Sequence, residues 1–280
     1  MKHTDGYFNG IEHTRIFFQS WSPLHDPKAN LLVVHGLAEH SGRYSNLVNH
    51  FVPLGYAVHG IDHIGHGKSS GHRAYVQRFR NYSATLKIFF DMIRGWQSDT
   101  PIFLVGHSMG GLMSALYLLD HQNELSGAVL SGPGIKVPDG ISIALIFLGK
   151  ILSLLAPKTG ILQLDAGNIS RDSAVVEAYL SDPLVYKGKI SARLSAELLK
   201  TMQHVTENAS KIILPILILQ GGADKLVDPA GAQLLYDTVG STDKTMHIYD
   251  GLYHEVLNEP EHERVLRDVE TWLQQRTTGE

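Results

Sequence analysis

Gly106-His107-Ser108-Met109-Gly110, followed by Gly111, places one serine hydroxyl among small residues. The apolar run 102–105 (IFLV) precedes it and a helical pattern over 109–121 follows. That is the context a G-x-S-x-G turn requires, with the serine at the tip of a sharp strand-to-helix reversal. Such a reversal crowds the backbone against its neighbours, so the flanking positions must be small. The helix that follows points its N-terminus at the site, where it favours developing negative charge. A serine between glycines also reads as an ordinary helix N-cap. The strand before it, the helix after it and the partners below favour the nucleophile, and acyl transfer from a carboxylic ester is the chemistry implied.

A serine hydroxyl attacks only when a base takes its proton. The chain has 16 histidines, so number decides nothing. In the order nucleophile, acid, histidine, the base follows the last strand. His254 stands just beyond the run 245–249, whereas His247 lies inside that run and His262 in a terminal helix. The acid belongs after the preceding strand, where the run 212–219 leads to Asp224 and Asp228. Asp228 precedes Pro229 and is explained as a helix cap. Asp224 has no such role and is the preferred partner for His254. Asp62 would serve only in a different topology. Two backbone N–H groups are expected to hold the oxyanion: that of Met109, next to the nucleophile, and that of Leu37, after the run 31–34 and His35-Gly36.

The elements that position these residues are short apolar runs at 31–34, 56–61, 102–105, 127–130, 212–219 and 245–249, bounded by Gly, Asp, Ser or His at once or, for 212–219, by Gly221-Gly222 after Gln220. Most lack period-two alternation, as strands buried on both faces do. Helical patterns at 82–96, 109–121 and 229–239 alternate with them. This rhythm predicts an α/β fold with a mostly parallel central sheet flanked by helices, active groups lying at the carboxyl ends of the strands. It breaks between 135 and 209. The expectation is a core of residues 1–134 and 210–280 with a helical cap, 135–209, inserted over the site and containing no clear strand.

The whole chain sets limits. Its 280 residues bury a substantial core. A net charge of −4 gives no reason to expect nucleic acid. The absence of cysteine excludes disulfides, thiolate metal sites and a cysteine nucleophile. His63 and His66 lie in a glycine-rich loop without a clear third ligand, so no metal or other cofactor is expected. The first ten residues carry no apolar signal core and no run reaches about 18 apolar residues, so a soluble, cytoplasmic chain is expected.

Several motifs together resemble the monoacylglycerol lipase family of α/β-hydrolases. These are His35-Gly36-Leu37-Ala38-Glu39-His40-Ser41-Gly42-Arg43-Tyr44, Asp62-His63-Ile64-Gly65-His66-Gly67-Lys68-Ser69, the elbow with its His107, Ser181-Asp182-Pro183-Leu184, Gly222-Ala223-Asp224 and Tyr253-His254. The resemblance runs from about residue 7 to residue 275. It implies the α/β-hydrolase fold and cleavage of monoacylglycerol to glycerol and fatty acid. It also implies Ser108, Asp224 and His254 as triad, Leu37 and Met109 as oxyanion donors, and Glu39, Arg43, His107 and Tyr179 around the glycerol head-group. Glu39 with Arg43 equally reads as a surface ion pair, and Tyr179 as cap packing. The family's second histidine after the catalytic one is absent, with Glu255-Val256-Leu257-Asn258 in its place.

The segment 141–155 (ISIALIFLGKILSLL) is almost wholly apolar yet too short to span a bilayer comfortably. It reads either as a buried helix or as one lining an acyl tunnel and dipping into a lipid surface, which would put the protein in peripheral contact with membranes. Lysophospholipids and simple esters are alternative substrates. A non-catalytic scaffold is the alternative from another class, and it is disfavoured because no triad member is missing.

Overall fold

The strands at 30–34, 57–61, 102–107, 127–131 and 216–221 are buried on both faces, because alternate side chains feed two separate apolar layers. Leu32, Val34, Leu104, Leu130, Ile216 and Ile218 face one layer, while Leu31, Val33, Phe103, Val105, Leu217 and Leu219 face the other. This is why the sequence reads as continuous apolar runs rather than as alternation. The computed structural model describes residues 1–97, 99–136 and 143–277, with the backbone alone for 143–148.

A hairpin of β1 (Lys2–Asn9) and β2 (Arg15–Ser22) opens the chain, followed by β3 (Asn30–Val34), α1 (Ser45–Phe51), β4 (Ala57–Ile61), α2 (Arg80–Trp96), β5 (Ile102–His107), α3 (Met109–His121) and β6 (Gly127–Ser131). Next come α4 (Ile143–Leu155), β7 (Gly160–Leu162), α5 (Ser173–Ser181), β8 (Ile190–Ser191) and α6 (Ala192–Asn208), then β9 (Ile216–Gly221), α7 (Pro229–Thr238), β10 (Lys244–Tyr249) and α8 (His262–Thr277). Eight strands form the main sheet in the order β1-β2-β4-β3-β5-β6-β9-β10. Only β1–β2 and β2–β4 pair antiparallel; the rest are parallel. This is the mostly parallel, helix-flanked sheet that the strand–helix rhythm predicts, and the α/β-hydrolase fold that the family resemblance implies. The β1–β2 hairpin was not anticipated, because β1 is polar and exposed along most of its length and carries no apolar run. The strand expected at 212–219 begins at 216, after Pro215, which has no N–H to give a ladder.

Between β6 and β9 the chain leaves the main sheet. The excursion is helical as expected, but it also contains a two-stranded antiparallel ribbon of β7 and β8. These strands are three and two residues long, too short to carry a pattern in the sequence. Helix α4 packs on α6, and α6 packs on α3 of the core. Residues 137–142 of the predicted cap, including the start of the apolar segment 141–155, lie outside the described residues.

The loop after β4 is organised by Asp62. Its Oδ1 accepts from Ser41 N at 2.9 Å and Ser41 Oγ at 2.6 Å, and its Oδ2 from Lys68 N at 2.7 Å. Asp62 is thereby a structural acid that locks the 62–69 turn against the loop after β3. His63 and His66, in the same turn, pack with His35 at ring-centroid distances of 3.9 and 5.4 Å. His35 Nε2 accepts from His63 N at 2.9 Å, so its Nδ1 carries the proton and donates to Gly36 O at 2.7 Å. Among the described residues no group of three His, Asp or Glu side chains could hold a metal ion.

These buried histidines make the fold acid-sensitive. Burial holds His66 down at about 3 and His59, between Ser20 and Asn30, at about 4; it lowers His35 and His63 as well. Below about pH 6.5 the unfolded chain takes up protons that the folded chain refuses, so acid favours unfolding. Stability is expected to be level above about pH 7 and to fall between pH 6.5 and 5, His59 and His66 together contributing about 2–3 kcal/mol per pH unit. Urea unfolding at pH 7.5 and pH 5.5 checks this; coincident midpoints would contradict it.

Candidate active site

Ser108 sits at the tip of the β5–α3 turn with φ 55° and ψ −118°, in the left-handed half of backbone space. Non-glycine residues are held there only when the surroundings over-determine them. Ser108 N donates to Ser131 O at 2.9 Å, and Ser108 O accepts from Leu112 N at 3.1 Å and Gly134 N at 3.1 Å. The glycines are required by close approach. A Cβ on Gly110 would run into the carbonyl of Val34, and one on Gly106 into Ser114 Oγ and the Gly110 carbonyl. Helix α3 is thus pressed onto β3 and β5, aiming its N-terminus at Ser108. The Met109 N–H, in the first turn of that helix, has no intrahelical acceptor. Leu37 follows β3 and precedes Ala38, held at φ 67°. Both Leu37 and Met109 line the same cavity as Ser108.

His254 and Asp224 come from the loops after β10 and β9, the two strands at one edge of the sheet. His254 Nδ1 donates to Asp224 Oδ2 at 2.7 Å, and both side chains are buried. Asp224 also accepts from Gln220 Nε2 at 3.0 Å, Leu226 N at 2.8 Å and Val227 N at 3.1 Å. Burial works to raise its pKa, but these bonds, that from His254 first, outweigh it and hold the carboxyl below its ordinary value. The acid is ionised at neutral pH, and His254 keeps Nε2 free to accept a proton. Asp228 instead caps α7, accepting from Ala230 N at 2.9 Å, and pairs with Lys136 at 2.5 Å.

The cavity around Ser108 measures about 330 Å³. One wall is apolar, built from Leu112, Leu162, Ile169, Leu198, Met202 and Leu226. Glu39, His107, Tyr179 and Glu255 supply polar groups to its lining. His107 lies 4.7 Å from His254 between ring centroids, and burial holds it neutral with a pKa of about 4. Arg43 is not among the lining residues: it stands beside them, its side chain 10% exposed and its guanidinium 4.7 Å from the centre of the Tyr179 ring.

Glu39 and Arg43 are not a surface pair. Arg43 Nη1 donates to Glu39 Oε2 at 2.9 Å and to Glu255 Oε1 at 2.6 Å, and Nη2 to Glu255 Oε2 at 2.8 Å. Glu39 Oε1 accepts from Gly36 N at 2.6 Å and Tyr44 Oη at 2.9 Å. Burial opposes the Glu39 charge, yet Arg43 and the neighbouring histidines hold its pKa at about 2. Sequence reasoning noted Glu255 only as standing where a histidine was expected. Its adjacency to His254 was a usable signal, but its partner lies 212 residues away.

The excursion between β6 and β9 grips both loops of the site. Tyr186 N donates to Ala38 O at 2.8 Å, and His40 Nε2 meets Asp182 Oδ2 at 2.9 Å. On the other side Glu255 N donates to Ile169 O at 2.8 Å, and Arg171 bonds Glu259 through N at 2.8 Å and Nε at 2.6 Å. Tyr179, on α5 between these anchors, is packed against Arg43 and at the same time faces the cavity.

The family model described as serine aminopeptidase, S33 (Hydrolase_4) matches residues 25–261. The monoacylglycerol lipase of Mycolicibacterium smegmatis is 37% identical over 266 residues, covering 95% of this chain and 95% of its own. The monoglyceride lipase of Mus musculus is 36% identical over 93% of this chain and 87% of its own. The crystal structure of Paleococcus ferrophilus monoacylglycerol lipase superposes with a TM-score of 0.84 at 30% identity, covering 93% of this chain and 99% of that one.

The chain belongs to the monoacylglycerol lipase family of α/β-hydrolases. It is a serine hydrolase of the carboxylic ester class, as that family is. Within the family frame, Arg43 joins the loop carrying Leu37 to the loop carrying His254. Removing the guanidinium while leaving its carboxylates buried is expected to cost about 3–5 kcal/mol. Urea unfolding of Arg43→Met against the unmodified chain measures it, and a loss under about 1 kcal/mol would show the pair to be solvated instead.

Proposed function

We propose that this chain cleaves monoacylglycerol to glycerol and free fatty acid with Ser108 as nucleophile, His254 as general base and Asp224 as its orienting acid. The observation that carries the reading is the single cavity in which Ser108 and the Asp224-bound His254 meet an apolar wall and a cluster of polar groups. An acyl chain fits the first and a glycerol head-group the second. Names of relatives in the family support the substrate: monoacylglycerol lipase and monoglyceride lipase at 36–37% identity over most of the chain.

His254 Nε2 removes the Ser108 proton as Oγ attacks the ester carbonyl. Charge on the carbonyl oxygen is met by the Leu37 and Met109 N–H groups. Asp224 holds the imidazole in the tautomer that receives the proton and stabilises the imidazolium. That proton passes to the departing glycerol oxygen. Water, activated by the same histidine, then releases the fatty acid and restores Ser108. Glu39, His107 and Tyr179 contact the head-group, with Arg43 fixing Glu39. Residues 135–209 act as the cap that supplies Tyr179 and part of the apolar wall.

The cap also offers a lipid-facing surface. Leu154 and Leu155 in the last turn of α4 are 75% and 80% exposed, and Leu162 and Ile161 on β7 are half exposed. A Cβ on Gly149 of α4 would lie 3.8 Å from Ile161, so helix and ribbon run side by side. We read this face as a peripheral membrane contact through which a partitioned lipid enters. Among the described residues no helix is long and apolar enough to cross a membrane.

A fluorophosphonate probe should label the unmodified chain and not Ser108→Ala; labelling that survives the substitution refutes the nucleophile assignment. Asp224→Asn should lower kcat on monooleoylglycerol by about 10⁴-fold with the fold intact, because the histidine is then held in the wrong tautomer. Rates on monoacylglycerols of graded chain length against a short-chain ester and a lysophospholipid decide the substrate class. In flotation with phosphatidylcholine vesicles, a Leu154→Asp, Leu155→Asp double variant should stay behind while the unmodified chain floats. Equal flotation, or none for either, rejects the membrane face.

A further inference from the structure

We infer that Glu255 is a specificity-determining residue that makes the head-group end of the cavity accept uncharged alcohols and reject phosphate-bearing ones. The inference deepens the reading of the site as a monoacylglycerol hydrolase and rests on it. Glu255 directly follows His254, is 5% exposed, and lines the cavity together with Ser108, His107 and Glu39. Glu39, His107 and Glu255 also line an adjoining narrow recess with Tyr44 and Asn258, and no Lys or Arg is among that recess's lining residues.

The charge balance there is one-sided. Two carboxylates face a single guanidinium, leaving one surplus negative charge. The N–H groups that Arg43 turns toward this cluster are taken up by Glu39 and Glu255, and the Tyr179 ring stacks against the guanidinium. Arg43 lines neither the cavity nor the recess, so it is not presented to an incoming anion. His107 is neutral at physiological pH. Lys136 and Lys225 line the cavity from other loops, where Lys136 pairs with Asp228, and Lys225 donates to Tyr253 Oη at 2.6 Å.

Glycerol hydroxyls both donate and accept, so carboxylates are good partners for them. A phosphate at neutral pH has little to donate and carries between one and two negative charges. Placed beside two buried carboxylates, it meets repulsion that solvent screens only weakly. Discrimination then comes from an unfavourable element set against the wrong substrate as much as from contacts to the right one. Glu255→Gln leaves one carboxylate against Arg43 and removes the surplus. Glu255→Asp keeps the charge while shortening the arm.

The test compares kcat/KM on 1-oleoylglycerol and on 1-oleoylglycerol 3-phosphate for the unmodified chain, Glu255→Gln and Glu255→Asp, with fluorophosphonate labelling of Ser108 as the check of folding. The unmodified chain is expected to favour the neutral ester by at least about 100-fold, Glu255→Gln to narrow that ratio by at least about 10-fold through KM for the phosphate ester, and Glu255→Asp to keep it. A merely structural role would lower both rates together and leave the ratio unchanged, and that result overturns the inference. A second arm uses p-nitrophenyl butyrate as reporter: free glycerol should inhibit the unmodified chain more strongly than glycerol 3-phosphate does. Equal or stronger inhibition by the phosphate also overturns it. This arm needs neither a stable variant nor monoacylglycerol activity. A chain that cleaves the reporter but not 1-oleoylglycerol sinks the substrate reading while the charge selectivity is still read.

Discussion

The close approach of α3 to β3 and β5 is the constraint on which the rest of the site depends. Ser108 holds a left-handed backbone only because Gly110 can lie against the Val34 carbonyl and Gly106 against Ser114. A side chain at either glycine would push the helix off the sheet. With the helix in place, Met109 at its start and Leu37 in the loop after β3 line the same cavity as the serine. The strain at Ser108 is local, and its support is distributed: β6 receives its N–H, and Leu112 and Gly134 bond its carbonyl.

A second constraint acts around that cavity. The loops carrying Leu37 and His254 come from β3, within the sheet, and β10, at its edge. Arg43 spans the gap between them through two buried carboxylates. One end of this bridge, Glu39, also fixes the Gly36 N–H beside Leu37. The other end, Glu255, is the neighbour of His254. A cation in that position is poorly replaceable, because its fork holds Glu255 bidentately while Nη1 also serves Glu39.

The excursion between β6 and β9 divides into parts with different roles. Residues 166–191 are tied to both loops through Ala38, His40, Glu255 and Glu259, and they carry Tyr179. Helix α4 packs on α6 and exposes Leu154 and Leu155 at its end. The first part is tied to the site; the second stands apart from those ties, against α6.

The sequence alone determined the elements whose signals are local. Doubly buried strands announce themselves as unbroken apolar runs. The elbow announces itself by glycines that only a tight turn needs, and Asp228 by the proline that follows it. Chain order was enough to single out Asp224 and His254 as candidates, and the structure places them 2.7 Å apart. Strand β1 was silent because an exposed edge strand needs no apolar pattern, and β7 and β8 because so few residues carry none. Only the tertiary structure decided the environment of charges. Glu39, Arg43 and Glu255 look like ordinary surface residues in the sequence, and whether they are solvated or buried depends on contacts between residues more than 200 positions apart. Burial and partner choice are properties of the packed chain, and they set both the protonation of the site and the charge it presents to a substrate.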